Sequence, residues 1–141
     1  MKTRNKLASV ILTMALLIGT SLSAFASNLN GPFLFRDAAL TKQYPQHAQG
    51  CFRRVLTEDA GGNKTELKVY VKDVSYLFIK GRITSMTIDG KTRRPDKNQV
   101  ITFPAVNNKL ISKDGAVKVS FELSYLGHKH DVRNVYLDVI N

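Results

Sequence analysis

The sequence predicts an all-β chain, an antiparallel β-sandwich of about seven or eight short strands, and three observations carry that reading. Apolar and polar residues alternate with period two over long stretches, the pattern of strands with one buried face. Turn-forming residues punctuate those stretches at roughly the 8–12-residue spacing of sandwich folds. No alternation of strand and helix patterns is visible, which argues against a parallel α/β sheet. The 141 residues have room for one ordinary domain, and a closed barrel is the main rival architecture.

Taken in order, the chain opens with Lys2, Arg4 and Lys6, an apolar run over residues 7–18, and Ala24-Phe25-Ala26. A basic start, a short apolar core and small residues before a cleavage point read as an export signal cut after Ala26. The run is short for a spanning helix, and no cysteine follows to take a lipid. The expected organisation is therefore a signal peptide over 1–26, removed, and a single sandwich domain over 27–141, secreted or associated with the cell envelope. No later apolar run is long enough to anchor it. Removal takes three cations and no acids, so Lys plus Arg falls from 21 to 18 against 11 acids and the formal charge from +10 to +7.

The body then reads as strands. Residues 32–36 form a first short run, and only 37–46 could hold a helical turn or two, which Pro45 would end. Leu67, Val69 and Val71 alternate with Lys68, Tyr70 and Lys72. Further runs cover 74–80, 83–88 and 100–103. Val117, Val119, Phe121, Leu123 and Tyr125 alternate with Lys118, Ser120, Glu122 and Ser124, and Val135, Leu137 and Val139 share a face near the end. Between them stand Gly61-Gly62-Asn63, Asp89-Gly90, Arg94-Pro95-Asp96, Asn107-Asn108, Asp114-Gly115 and Gly127. Asp89-Gly90 and Asp114-Gly115 are tight-turn or hairpin candidates.

Chemistry-bearing residues are few. There are three histidines and one cysteine, with no nucleophile elbow and no Gly-rich phosphate loop. A lone Cys51 excludes an internal disulfide framework, and its burial as a small hydrophobe is expected over a dyad with the nearby His47. The reading is therefore a binding protein without catalytic activity. The densest constellation is Tyr125 to Arg133, with Gly127 at a tip between two strands. His128 and His130 differ by two and project to one side of an extended segment. With Tyr125 and Asp131 nearby they could bind a transition metal such as copper or zinc, or a haem iron. They could equally be two solvated hairpin histidines. Four ligands for a closed zinc site are not visible.

Positive charge is the second feature. Arg53-Arg54 forms one cluster, and Arg82, Lys91, Arg93, Arg94 and Lys97 form another, with Phe52, Tyr70, Tyr76 and Phe78 nearby in sequence. Such patches bind polyanions or haem propionates, or simply face solvent. An exported chain would meet anionic wall polymers before nucleic acid.

The hairpin stretch Leu126-Gly127-His128-Lys129-His130-Asp131-Val132-Arg133 resembles the last hairpin of the NEAT (near-iron-transporter) domains, exported modules with an immunoglobulin-like β-sandwich. The preceding 116–123, the strand 83–90 and, more loosely, Ala39-Leu40-Thr41-Lys42-Gln43-Tyr44 are similar to other parts of that family, so the resemblance covers most of 32–140. It implies an immunoglobulin-like fold and binding of haem or a related porphyrin for iron acquisition, with a haem receptor as a possible partner. The iron-ligating tyrosine of the family falls on Leu126 and its supporting tyrosine on His130. The resemblance therefore places the iron ligand on His130, then His128 or Tyr125. It sets Leu40 and Tyr44 on a helical turn over the macrocycle, and Lys42, Arg53 or Arg54 against the propionates. The alternative is an adhesion or wall-associated module that grips polyanions through 82–97 and Arg53-Arg54, with affinity that collapses in salt. A third reading is a copper or zinc site at His128-Lys129-His130.

Overall fold

Alternation in the sequence becomes two antiparallel sheets in a computed structural model, which describes residues 32–44, 46–76 and 79–139, the side chains of 46, 47, 76 and 79 excepted. The expected export signal, Leu77-Phe78 and the side chains of His47 and Tyr76 lie outside the described residues. Nine strands are present among those described: β1 (Leu34–Phe35), β2 (Phe52–Gly61), β3 (Lys64–Val71), β4 (Val74–Tyr76), β5 (Ile79–Ile88), β6 (Lys91–Arg93), β7 (Val100–Asn107), β8 (Ala116–Tyr125) and β9 (His128–Asp138). The larger sheet has the order β1-β9-β8-β5-β4, with β6 also on β5, and the smaller the order β2-β3-β7.

The chain path is that of an immunoglobulin-like sandwich. Strands β2, β3 and β7 take the places of A, B and E, while β5, β8 and β9 take those of C, F and G, with β6 as an added C′. No tryptophan and a single cysteine are available, so the tryptophan-on-disulfide pin of antibody domains is missing. The inner faces meet instead through branched aliphatics and phenylalanines. Val55, Leu67, Val69 and Ile101 of one sheet face Met86, Val117, Val119 and Leu137 of the other, all at 1% exposure or less. Each such side chain contributes about 1.5–3 kcal/mol on burial.

Two expectations are corrected. Residues 37–44 do not form a helical turn. The Asp37 carboxylate accepts from the backbone N–H groups of Thr41 and Lys42 and from the Thr41 hydroxyl, closing a hydrogen-bonded loop. Among the described residues the one α-helical turn, α1 (Gln46–Gln49), begins after Pro45 in the sequence rather than ending before it, and a 3-10 turn follows at Asn108–Leu110. A proline is well suited to precede a first turn, because its missing N–H would have no partner there anyway. The strand count rises to nine because two strands break alternation. β2 carries Arg53-Arg54 across a bulge between Phe52 and Arg54, and β6, Lys-Thr-Arg, is exposed throughout.

The turns follow their chemistry. Asp89-Gly90 joins β5 to β6 with both residues in the left-handed region, as a two-residue hairpin of type I′ requires. Asp114-Gly115 is a tight turn before β8, closed by Gly115 N–H donating to Ser112 O at 2.9 Å. Pro104 sits in β7 at a break in its pairing with β3, where residues 104 and 105 together oppose Glu66, a position that tolerates a missing N–H.

Candidate functional site

The β8–β9 hairpin turns on two residues, Leu126 (φ 53°) and Gly127 (φ 74°), both left-handed. Gly127 adopts this freely, whereas a left-handed leucine costs about 1–2 kcal/mol. Leu126 is also 63% exposed, so it recovers little of that by burial. Replacing Leu126 with Asn, the residue such turns favour, is expected to raise stability by about 1 kcal/mol. A thermal midpoint that stays level or falls in Leu126→Asn would show that the turn carries no strain.

The turn fixes the register, and the register fixes which side chains share a face. His128 pairs with Tyr125, His130 with Leu123 and Val132 with Phe121. Phe121 and Leu123 face the core, so Tyr125, His128 and His130 extend that same face past its end. The sequence expectation of two imidazoles on one side is met. The Tyr125 and His130 rings lie 6.0 Å apart at 84°, edge to face, with Tyr125 half-buried and both histidines exposed. Lys129 points to the opposite face, 3.9 Å from Glu122 Oε1, and Glu122 also accepts from the Thr84 hydroxyl at 2.6 Å. Asp131 pairs with Arg133 at 3.4 Å.

The other expected haem contacts are not gathered here. Leu40, Lys42 and Tyr44 sit on the loop after β1, where Arg36 N–H donates to Lys42 O at 2.7 Å and Phe35 bridges Gln43. The Arg36 guanidinium lies 4.8 Å over the Tyr44 ring. β1 pairs at Tyr136 and Leu137, six residues along β9 from His130 and roughly 20 Å by strand rise. Hydrogen bonds from Thr41 and Lys42 hold the exposed Asp37 carboxyl below the usual carboxylate range, so the loop is set at neutral pH. Arg53 and Arg54 belong to the smaller sheet, with Arg54 stacked 4.8 Å over Tyr70.

Cys51 is fully buried, and burial first, with Asp73 adding and Lys72 opposing, pushes its thiol up to about 11. A thiol so held stays protonated at neutral pH and lacks the thiolate that a nucleophile needs. Of the second basic cluster, Arg82 and Arg94 line a cleft of about 380 Å³ at the far edge of β5. Sequence reading gave those charges but not the cleft, which depends on where two short strands stop. Among the described residues, no group of three or more His, Cys, Asp or Glu side chains could hold a metal ion, and no helix is long and apolar enough to cross a membrane. No family model, curated protein or solved structure matches the chain.

Proposed function

We propose that the chain is an exported binding module without catalytic activity, which takes haem or a related porphyrin for iron acquisition at the β8–β9 hairpin. The observation that carries this is the shared face of Tyr125, His128 and His130, with an imidazole edge-to-face against a phenol. A haem iron needs only one or two axial ligands from protein, and His and Tyr both serve. A bare zinc site takes three or four ligands drawn from His, Cys and carboxylates, and this face offers two imidazoles. The exposed Leu126 beside the imidazoles supplies apolar contact for a macrocycle. The polyanion alternative draws on basic residues divided between β2 of one sheet and β5–β6 of the other.

Titration of the purified chain with ferric haem, followed in the Soret region, tests the proposal. A saturable band at one equivalent, lost or shifted in His130→Ala, is the expected result. A band indifferent to His130→Ala moves the ligand to His128 or Tyr125. Slow, unsaturable broadening with no defined band sinks the haem reading.

A further inference from the structure

β5 is paired unevenly, and the unevenness builds a cavity. Along one side β8 covers it from Gly81 to Thr87. Along the other, β4 covers only residues 79–81 and β6 only 86–88, which leaves 82–85 without a neighbouring strand. The two crossovers to the smaller sheet, Lys72-Asp73 and 94–99, border this gap. With 71 and 82–84 they line an open cleft of about 380 Å³, within the range of small-molecule sites. Its lining is mixed: the half-buried Pro95 gives apolar surface, Val71 and Ile83 lie almost wholly covered behind it, and the rest is polar.

The rim charges do not cancel. Lys72, Arg82 and Arg94 face Asp73 and Asp96, three cations against two acids. Both acids are engaged. Asp73 pairs with Arg82 at 2.9 Å, and Asp96 Oδ1 accepts from Asn98 N–H at 2.8 Å and Val100 N–H at 3.1 Å. The Arg94 guanidinium has no carboxylate within ion-pair distance among the described residues. Gln99, also on the rim, is held at φ 61° by its N–H on Asp96 O (2.9 Å) and its C=O on Val71 N–H (3.0 Å).

We infer that this cleft is a second ligand site, separate from the hairpin, and that it takes a small organic monocarboxylate with Arg94 as the anion anchor. A guanidinium presents two parallel N–H donors that match a carboxylate. One unbalanced positive charge suits a monoanion, while Asp73 and Asp96 would repel a phosphate dianion. The half-buried Pro95 gives the body of an organic acid an apolar contact that a bare inorganic ion would not use.

Backbone-amide NMR of the full chain, titrated with benzoate, acetate, inorganic phosphate and neutral benzyl alcohol, tests the site. Benzoate is expected to give saturable shifts confined to 71–73, 82–84 and 94–99, with acetate weaker and benzyl alcohol silent. Arg94→Gln, at an exposed position, is expected to leave the spectrum elsewhere unchanged and to weaken benzoate about 10–100-fold, the loss of a charge-assisted contact. Shifts scattered over the surface, or the same benzoate affinity in Arg94→Gln, overturn the site. Phosphate binding tighter than benzoate overturns the carboxylate assignment. None of these outcomes depends on His128, His130 or Tyr125, so the haem reading stands or falls separately.

Discussion

Phe52→Ala is expected to lower the unfolding free energy by about 3–5 kcal/mol, the range for truncating a buried phenylalanine. Phe52 is 3% exposed and stands where β2 enters the smaller sheet. Its ring lies 5.9 Å from Phe33, just before β1, and 5.8 Å from Phe121 of β8, the latter edge-on at 84°. One side chain thus joins the smaller sheet to the larger and to the segment leading into it. Each well-placed aromatic pair adds about 0.5–1.5 kcal/mol beyond the area it buries. A domain of this size has roughly 5–15 kcal/mol in all, so the variant is left near the edge of folding. Phe52→Leu keeps most of the volume and is expected to lose far less. Urea unfolding of the three proteins decides the matter. A loss below about 1 kcal/mol in Phe52→Ala would mean that the aromatic trio is not what joins the sheets.

The parts of the fold that were legible are those where one local rule acts alone. β3, β8 and β9 each have one face in the core, so Val69, Val119 and Leu137 recur with period two in the sequence and are buried in the structure. Asp89-Gly90 declares its turn because those residues tolerate the left-handed region. Leu126 makes the same turn at the hairpin tip without declaring it, since nothing in a leucine favours φ 53°. β2 was hidden because the bulge at Arg53-Arg54 shifts its alternation, and beyond Thr57, though still paired with β3, its side chains are all exposed. The shared face of His128 and His130 could be read from spacing alone. Their separation from Leu40, Lys42 and Tyr44 could not, because it depends on β1 pairing at Tyr136, and pairing order leaves no trace in the pattern of a strand. The cleft at Arg94 is further still from the sequence. It exists because β4 stops at one end of β5 and β6 starts at the other.

Gln49→Ala is expected to cost about 2–4 kcal/mol and to concentrate the damage at one edge of the larger sheet. Gln49 is a polar side chain at 6% exposure, delivered inward by α1, and every hydrogen-bonding position on its amide is used. Its Oε1 accepts from Phe33 N–H and Leu34 N–H, both at 2.8 Å. Its Nε2 donates to Leu34 O at 2.7 Å and Tyr44 O at 3.1 Å. The amide therefore acts as a surrogate strand for β1, which has only Phe35 and Leu34 paired to β9 on its other side. Removal leaves two buried N–H groups without partners, at about 1–3 kcal/mol each, moderated by whatever water enters. Gln49→Met tests whether hydrogen bonding or volume matters, because methionine matches glutamine in length but offers no donor and only a weak acceptor. If the amide is what holds β1, Gln49→Met loses nearly as much as Gln49→Ala. Native-state hydrogen exchange then shows Phe33, Leu34 and Tyr44 unprotected while Val69 and Val119 keep their protection. A methionine variant as stable as the parent would assign the role of Gln49 to packing, and β1 would have to be held by Phe33 and Leu34 in the core.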